Sequence, residues 1–312
     1  MSELGAKMAR GAAWMILLRL ADRAVGVVST LILARLLVPD DFGIVAMATT
    51  VFAMIELLSD FSFEVVIVQN QSAKRRHYDT AWTFNAIFGI AATAVLCALA
   101  IPTAMLFKEP RLEPVIYVLA ASMLVRGFQN IGLVDFQKTL QFDKDFIFMF
   151  SRRFVGFLTT VILAVVMRNY WAMIIGSLVG IVFSVILSYG MHPYRPRIDF
   201  SAARELFSFS KWLLINNLLF FAVIRSSDFV IGRLSGARDL GLYKLSYELS
   251  NVPTTELIMP ITRAVFPGFS KIAHDISLLR KGFLDVVSFV ALFGLPIGAG
   301  IVATAELFVP VL

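Results

Sequence analysis

Nine apolar stretches follow one another along this chain, at 11–37, 42–68, 80–107, 112–134, 146–167, 171–189, 211–231, 239–266 and 283–312. A bilayer hydrocarbon core about 30 Å thick takes roughly 20 apolar residues per helical crossing, so each stretch is long enough to span it. Inside lipid every backbone amide needs an internal partner, which restricts spanning structures to helices and closed barrels. Continuous apolar runs, rather than ten-residue alternation, select helices. Hydrophobic residues make up 58% of the 312 and charged residues 16%, more apolar surface than a soluble domain can hide. The expected fold is therefore an all-α integral membrane protein, a polytopic bundle of about nine transmembrane helices. Arg19, Asp22 and Arg23 make the first stretch too polar, and its length too great, for a cleavable signal core. It reads as a retained span.

The net charge of +6 does not point to nucleic acid, because the cations are spread among the apolar segments instead of gathering on one soluble face. Topology explains them better. Links on the side of the N-terminus hold about 14 Lys and Arg, among them Lys74, Arg75 and Arg76, against about six on the other side. The positive-inside rule then places the N-terminus of this multi-pass chain in the cytoplasm. All four tryptophans, Trp14, Trp82, Trp171 and Trp212, fall near expected span ends, as an interfacial belt requires. Cys97, the single cysteine, can form no intrachain disulfide.

An internal repeat adds organisation. Arg35-Leu36 followed by Asp41 and Gly43 recurs as Arg233-Leu234 followed by Asp239 and Gly241, a shift of 198 residues. Six spans separate the copies; an even number preserves orientation, so the two lobes are expected to be related by an axis along the membrane normal. The expected organisation is a six-helix lobe at 1–190, a cytoplasmic amphipathic linker at 191–210, and the first three helices of a second lobe at 211–312. By this repeat the second lobe is incomplete, its remaining spans needing roughly another 85 residues. In the linker, Arg195, Arg197, Arg204 and Glu205 alternate with Phe200, Leu206 and Phe207, a pattern suited to an interfacial amphipathic helix.

The stretch Leu33-Ala34-Arg35-Leu36-Leu37-Val38-Pro39-Asp40-Asp41-Phe42-Gly43 resembles the first extracytoplasmic turn of bacterial polysaccharide exporters, the oligosaccharide-flippase branch of the multidrug/oligosaccharidyl-lipid/polysaccharide superfamily. Gly232-Arg233-Leu234, Gly241-Leu242-Tyr243 and Ala264-Val265-Phe266-Pro267 are similar to the same family in order and spacing. The resemblance implies a V-shaped pair of six-helix lobes that flips an undecaprenyl-pyrophosphate-linked oligosaccharide to the periplasmic leaflet for exopolysaccharide or lipopolysaccharide biosynthesis, by alternating access. It implies a place in a bacterial inner membrane, that lipid-linked sugar and membrane lipids as partners, with polysaccharide polymerase machinery as a further candidate, and no nucleic acid and no cofactor.

Charged residues inside the spans are the candidate site. An intramembrane cation costs at least about 2.5–3.5 kcal/mol at mid-bilayer, so it should face a watery cavity or a partner. Arg19, Arg23, Arg126 and Arg225 are the candidate substrate-binding residues, since the diphosphate implied by the resemblance favours planar, permanently charged, bidentate donors. The alternative is mutual neutralisation, Arg19 with Asp22 and Arg225 with Asp228 at i, i+3. Glu56, Asp60 and Glu64, at i, i+4 and i+8 of the second span, would share one helix face and cannot all remain ionised and unpaired in hydrocarbon. They either counter the arginines or take a proton or sodium ion that couples transport to a gradient. Under the 198-residue shift these acids map to Thr254, Ile258 and Thr262, which makes the lobes chemically unequal. Pro253, Pro260 and Pro296 are candidate kinks.

Little points to catalysis: His77, His192 and His274 lie in separate links without metal-ligand spacing, and no glycine-rich nucleotide loop is present. The alternatives to a flippase are a cation-coupled multidrug exporter of the same superfamily and a membrane-embedded glycosyltransferase or polymerase.

Overall fold

The computed structural model describes residues 3–59, 61–234 and 258–308. The described residues form helices and connecting turns only. In chain order these are α1 (Glu3–Leu36), α2 (Pro39–Ser59), α3 (Phe63–Gln69), α4 (Arg75–Phe107), α5 (Leu112–Gly127), a 3-10 turn (Ile131–Leu133), α6 (Val134–Lys138), α7 (Phe142–Met167), α8 (Trp171–Met191), α9 (Ala203–Leu234), α10 (Met259–Ile272) and α11 (Ile276–Phe308). Among the described residues five helices are long and apolar enough to cross a membrane, and a sixth crossing is made if the bent pair around 128–130 counts as one span. The charged middle of α1, with Arg19, Asp22 and Arg23, keeps it outside that set.

Two expected spans are broken. The stretch 42–68 does not run as one helix: α2 ends at Ser59 and α3 starts at Phe63, after Ser62 takes the left-handed conformation at φ 51°. The stretch 112–134 stops at Gly127 and resumes through the 3-10 turn and α6 with a 64° bend. Asn130 caps that bend, its side chain accepting from the Gly132 N–H at 2.9 Å. Of the expected eighth span, 239–257, with Pro253, lies outside the described residues; Pro260 sits in the first turn of α10, where its missing N–H leaves no bond unmade.

The link after α8 also departs from the amphipathic-helix expectation. Residues 192–200 run extended, and helix begins only at Ala203. Pro193 and Pro196 explain this, since each pushes its preceding residue out of the helical region and removes a donor. The extended strap is pinned by side chains of α4: Tyr194 Oη donates to Asp79 at 2.6 Å, the Asp199 N–H to Thr83 Oγ1 at 3.1 Å, and the Ala202 N–H to Thr80 Oγ1 at 3.3 Å.

The chain divides into two compact units, one of residues 21–218 and one of 1–20 with 219–312, with the dividing points inside α1 and α9. In the first unit a core of Ile44, Ala48 and Ile55 of α2, Leu96 and Ala100 of α4, Ile116, Leu119 and Met123 of α5 and Ile174 of α8 is buried. A second core is aromatic, with Phe63 of α3 in a ring cluster with Phe61, Phe84, Phe88 and Phe207. Helices approach through small residues, as expected where lipid offers no hydrophobic drive. A Cβ on Gly89 of α4 would lie 2.9 Å from the Gly127 Cα, and one on Gly180 of α8 3.2 Å from the Gly156 Cα. In the other unit α10 meets α11, with Gly268 against the Met8 thioether of α1. Outward positions such as Leu106, Val166 and Ile186 are exposed, as lipid-facing positions should be.

Candidate functional site

Charge gathers in the first unit where α1, α2, α5 and α7 contribute one or two ionised side chains each. Glu56 lies one turn before the end of α2, and Arg126 one residue before the end of α5, so both precede the points at which their spans break. They form a direct ion pair. The Asp22 carboxylate of α1 meets Arg153 Nε of α7 at 3.2 Å. Arg152, the neighbour of Arg153, lies within electrostatic range of both Arg126 and Asp22. Gly26, one turn beyond Asp22, leaves room beside the Arg153 guanidinium, 3.7 Å from where its Cβ would be. Among the described residues, three guanidinium groups and two carboxylates are thus brought together here, in spans that are otherwise apolar.

The structure thus brings together Arg126, Glu56 and Asp22 of the candidate set, and adds Arg152 and Arg153. Asp22 reaches across to α7, a partner that spacing along α1 does not show. The expected row of Glu56, Asp60 and Glu64 on one continuous face is not formed, because the helix breaks between Glu56 and Glu64; Asp60 itself lies outside the described residues. Arg19 and Arg23 lie along α1, Arg19 in the unit of 1–20 with 219–312 and Arg23 in that of 21–218. Arg225 and Asp228 lie on α9, with their side chains outside the described residues.

A second polar layer lies at the end where α4 starts. Asp135 of α6 accepts from Tyr78 Oη at 2.6 Å and faces His192 Nε2 at 3.4 Å. Fully buried Asn130 donates from Nδ2 to the Tyr194 carbonyl at 3.0 Å and, more weakly, to those of Ser188 and His192 at 3.4 Å. The Lys74 N–H donates to His77 Nδ1 at 2.9 Å, so His77 Nε2 carries the proton and donates to Glu205 at 2.8 Å. Arg76 reaches the other oxygen of Glu205 at 2.7 Å, and His77 and Arg76 together hold that carboxyl below the usual carboxylate range. Burial pushes the His192 imidazole below the ordinary histidine value, with Asp135 opposing and Lys144 and Arg195 reinforcing. This layer ties the strap to α4, to α6 and to the bend after α5.

At the opposite end Asp41 is buried and accepts from the Val38 N–H at 3.3 Å and the Tyr170 N–H at 3.1 Å, so it fastens the α1–α2 turn to the start of α8. Arg111 bridges Asp40 at 2.8 Å and Glu109 at 2.7 Å, and holds the partly buried Glu109 carboxyl down to about 2.

Comparison with known proteins adds the following. A family profile described as "Polysaccharide biosynthesis protein" matches residues 32–312. The chain is 29% identical to the lipopolysaccharide biosynthesis protein WzxC of Escherichia coli (strain K12), over 99% of this chain and 63% of that protein. It is 26% identical to the teichuronic acid biosynthesis protein TuaB of Bacillus subtilis (strain 168), over 83% and 54%, and 24% identical to the succinoglycan biosynthesis transport protein ExoT of Rhizobium meliloti (strain 1021), over 85% and 54%. The chain thus spans less than two thirds of the length of these relatives. Its fold is similar to that of an outward-facing multidrug resistance MATE family transporter of the MOP superfamily, with a TM-score of 0.78 at 13% identity, over 99% of this chain and 75% of that one.

Proposed function

Because the chain belongs to the polysaccharide biosynthesis protein family, we propose that it flips a lipid-linked oligosaccharide, carried on undecaprenyl pyrophosphate, across a bacterial inner membrane by alternating access. The observation that carries this reading is the cluster of Arg126, Arg152 and Arg153 with Glu56 and Asp22 among the described residues. An excess guanidinium charge among spans is costly in hydrocarbon unless an anion or water reaches it. A diphosphate supplies that anion, and its planar, bidentate fit to guanidinium favours arginine over lysine. Arg19, Arg23 and Arg225 join Arg126 as headgroup ligands, with Asp228 and the acids of α2 and α3 as counter-charges. The relatives' names, which speak of lipopolysaccharide, teichuronic acid and succinoglycan, support a saccharide cargo. The N-terminus lies in the cytoplasm, the two lobes follow the 198-residue repeat, and polymerase machinery receives the cargo on the far side. The work is transport, with no bond made or broken.

A cation-coupled multidrug exporter shares the fold, but cationic cargo calls for a negative or aromatic lining, whereas the described residues of this cluster are net positive. The test is leaflet accessibility of lipid-linked oligosaccharide in vesicles holding the complete protein. Arg126→Ala is expected to slow translocation by at least tenfold, while Arg111→Ala, in a surface link, leaves it within twofold. Equal rates for wild type and Arg126→Ala would remove the cationic-site mechanism.

A further inference from the structure

The extended strap after α8 follows α4 toward the middle of that helix and then back. From Tyr194 and Arg197 at Asp79 it reaches Thr83 with the Asp199 N–H at 3.1 Å and Phe84 with the Phe200 ring at 5.7 Å, and it returns to Thr80 through the Ala202 N–H at 3.3 Å. Asp79 to Phe84 is about 7 Å of helix rise, comparable with the roughly 5–8 Å of one headgroup layer. Tryptophans stand at the level reached. Trp82 is on the same turn of α4; α9 leaves the Glu205–His77 contact, runs beside α4 with Phe207 on Phe84, and carries Trp212. On the outward face of α9, exposed Arg204, Ser208 and Lys211 give way to exposed Trp212 and Ile215, the change of side chain that a membrane interface imposes. The tip of the strap therefore lies at an interface.

The side chains at that tip fit such a place. Ile198 is 77% exposed and Phe200 53%. The N–H groups of Arg197, Asp199, Ser201 and Ala202 are each accepted by a side-chain oxygen at 2.8–3.3 Å, as backbone close to hydrocarbon needs. The cations nearby fall into two sets. Arg75, Arg76 and Arg195 are engaged within the protein, on Asp79, on Glu205 and on the His192 and Tyr194 carbonyls. Arg197 and Arg204, one before the tip and one after it, are exposed, and among the described residues their guanidinium groups have no hydrogen-bond or ion-pair partner. The Asp199 carboxylate between them is held by the Ser201 N–H and hydroxyl at 2.8 and 2.9 Å. We propose that the strap seats an anionic phospholipid of the adjoining leaflet, with Arg197 and Arg204 on its phosphate and Ile198 and Phe200 against the upper part of its acyl chains. Guanidinium matches phosphate geometry, and long amphipathic side chains reach the headgroups from this depth. An acidic protein partner would meet the cations but leave the two apolar side chains in water; a lipid satisfies both. The site shares no residue with the Arg126 cluster, so it takes its ligand whatever the cargo.

The experiment uses the complete protein with Cys97→Ala and with Ile198→Cys carrying an apolar fluorophore in place of the isoleucine side chain. It is placed in phosphatidylcholine vesicles holding a trace of spin-labelled quencher lipid, either phosphatidylglycerol or phosphatidylcholine. Both quenchers should reach the fluorophore. Phosphatidylglycerol should do so with an apparent affinity at least about fivefold higher, the factor that one Lys or Arg contributes at an anionic membrane surface. Arg197→Gln combined with Arg204→Gln should bring that ratio to about one. Arg280→Gln combined with Lys281→Gln, an equal loss of charge in the other compact unit, should leave it unchanged. A ratio near one with both strap arginines present overturns the proposal, and so does an equal fall in the two double variants, which would reduce the preference to the field of the whole protein. Stronger quenching by aqueous iodide than by either lipid also overturns it, because the tip would then stand in water. Inorganic phosphate, against chloride at matched ionic strength, should not compete; if it abolishes the preference, the two arginines bind a free anion and the lipid assignment falls. The comparison of the two quenchers needs no arginine variant, so it decides the matter even if those variants fold poorly.

Discussion

Asn130 offers a sharp test of what holds the bend and the strap in place. Its carboxamide is fully buried, accepts from the Gly132 N–H at 2.9 Å and donates to the Tyr194 carbonyl at 3.0 Å. Asn130→Ala removes both. The Tyr194 and His192 carbonyls keep Arg195 Nη1, each at 2.9 Å, and the Ser188 carbonyl keeps the His192 N–H at 3.3 Å, so those acceptors are not stranded. The buried Gly132 N–H loses its side-chain partner, at a cost of about 1–3 kcal/mol for an unmade buried bond, and the lost Tyr194 bond adds about 0.5–1.5 kcal/mol. A total near 2–4 kcal/mol corresponds, at roughly 2–4 °C per kcal/mol, to a fall of about 5–15 °C in the melting temperature of the detergent-solubilised protein. Asn130→Asp, almost the same shape, should do at least as much damage: it preserves the bond from Gly132 but aims a negative oxygen at carbonyls that had received two N–H donors. Cleavage of the 192–202 strap by a soluble protease should quicken in both variants. Melting of Asn130→Ala within 1 °C of wild type, with unchanged cleavage, would refute the claim that this amide organises the junction.

Two further outcomes follow from the same physics. Gly89→Ala should lower stability by about 1–2 kcal/mol, because the new methyl meets backbone of α5, while Gly190→Ala, with open space around it, should be neutral or better by up to about 1 kcal/mol; paired melting curves read the contrast. Acid should loosen the strap in two stages. His192, depressed in the folded state, is protonated first in the unfolded chain, so its contribution is lost as pH falls below about 6.5, and that of Glu205, also depressed, is lost as pH falls below about 4.5 through its folded value; melting temperature against pH checks both, and His192→Gln should flatten the upper stage.

The family resemblance and the all-helical membrane fold were legible because both rest on long-range order: apolar runs of spanning length, and the Arg-Leu, Asp and Gly positions between 33 and 43. The break in the second span was not, since Ser59 to Ser62 contains neither proline nor glycine, and its polar residues stand between apolar runs that together have spanning length. It follows from tertiary packing, where Phe61 and Phe63 both turn into the same aromatic cluster, stacked 5.9 Å apart, a placement that successive helical turns could not give them. The extended strap was signalled by Pro193 and Pro196, but the alternation of charged and apolar side chains that suggested an amphipathic helix is equally a period of two. The pairing of Glu56 with Arg126, and of Asp22 with Arg153, joins residues far apart in the chain, and a single sequence carries no mark of such contacts.

One relation ties the breaks to the charges. A helix interrupted in hydrocarbon exposes carbonyls and amides that need polar company, and a charge placed there needs the same. Here the interruptions after Ser59 and Gly127 come within a turn of Glu56 and Arg126. The Phe128 carbonyl freed by the second break is met by Tyr189 Oη at 2.8 Å and Trp82 Nε1 at 3.4 Å, amphipathic side chains of the kind found where protein meets headgroups. Two separate defects in two separate places would each require their own solvation; placed together they need one polar layer. That economy makes the neighbourhood of Arg126 a place in this unit where interrupted backbone and ionised side chains share one polar layer among apolar spans.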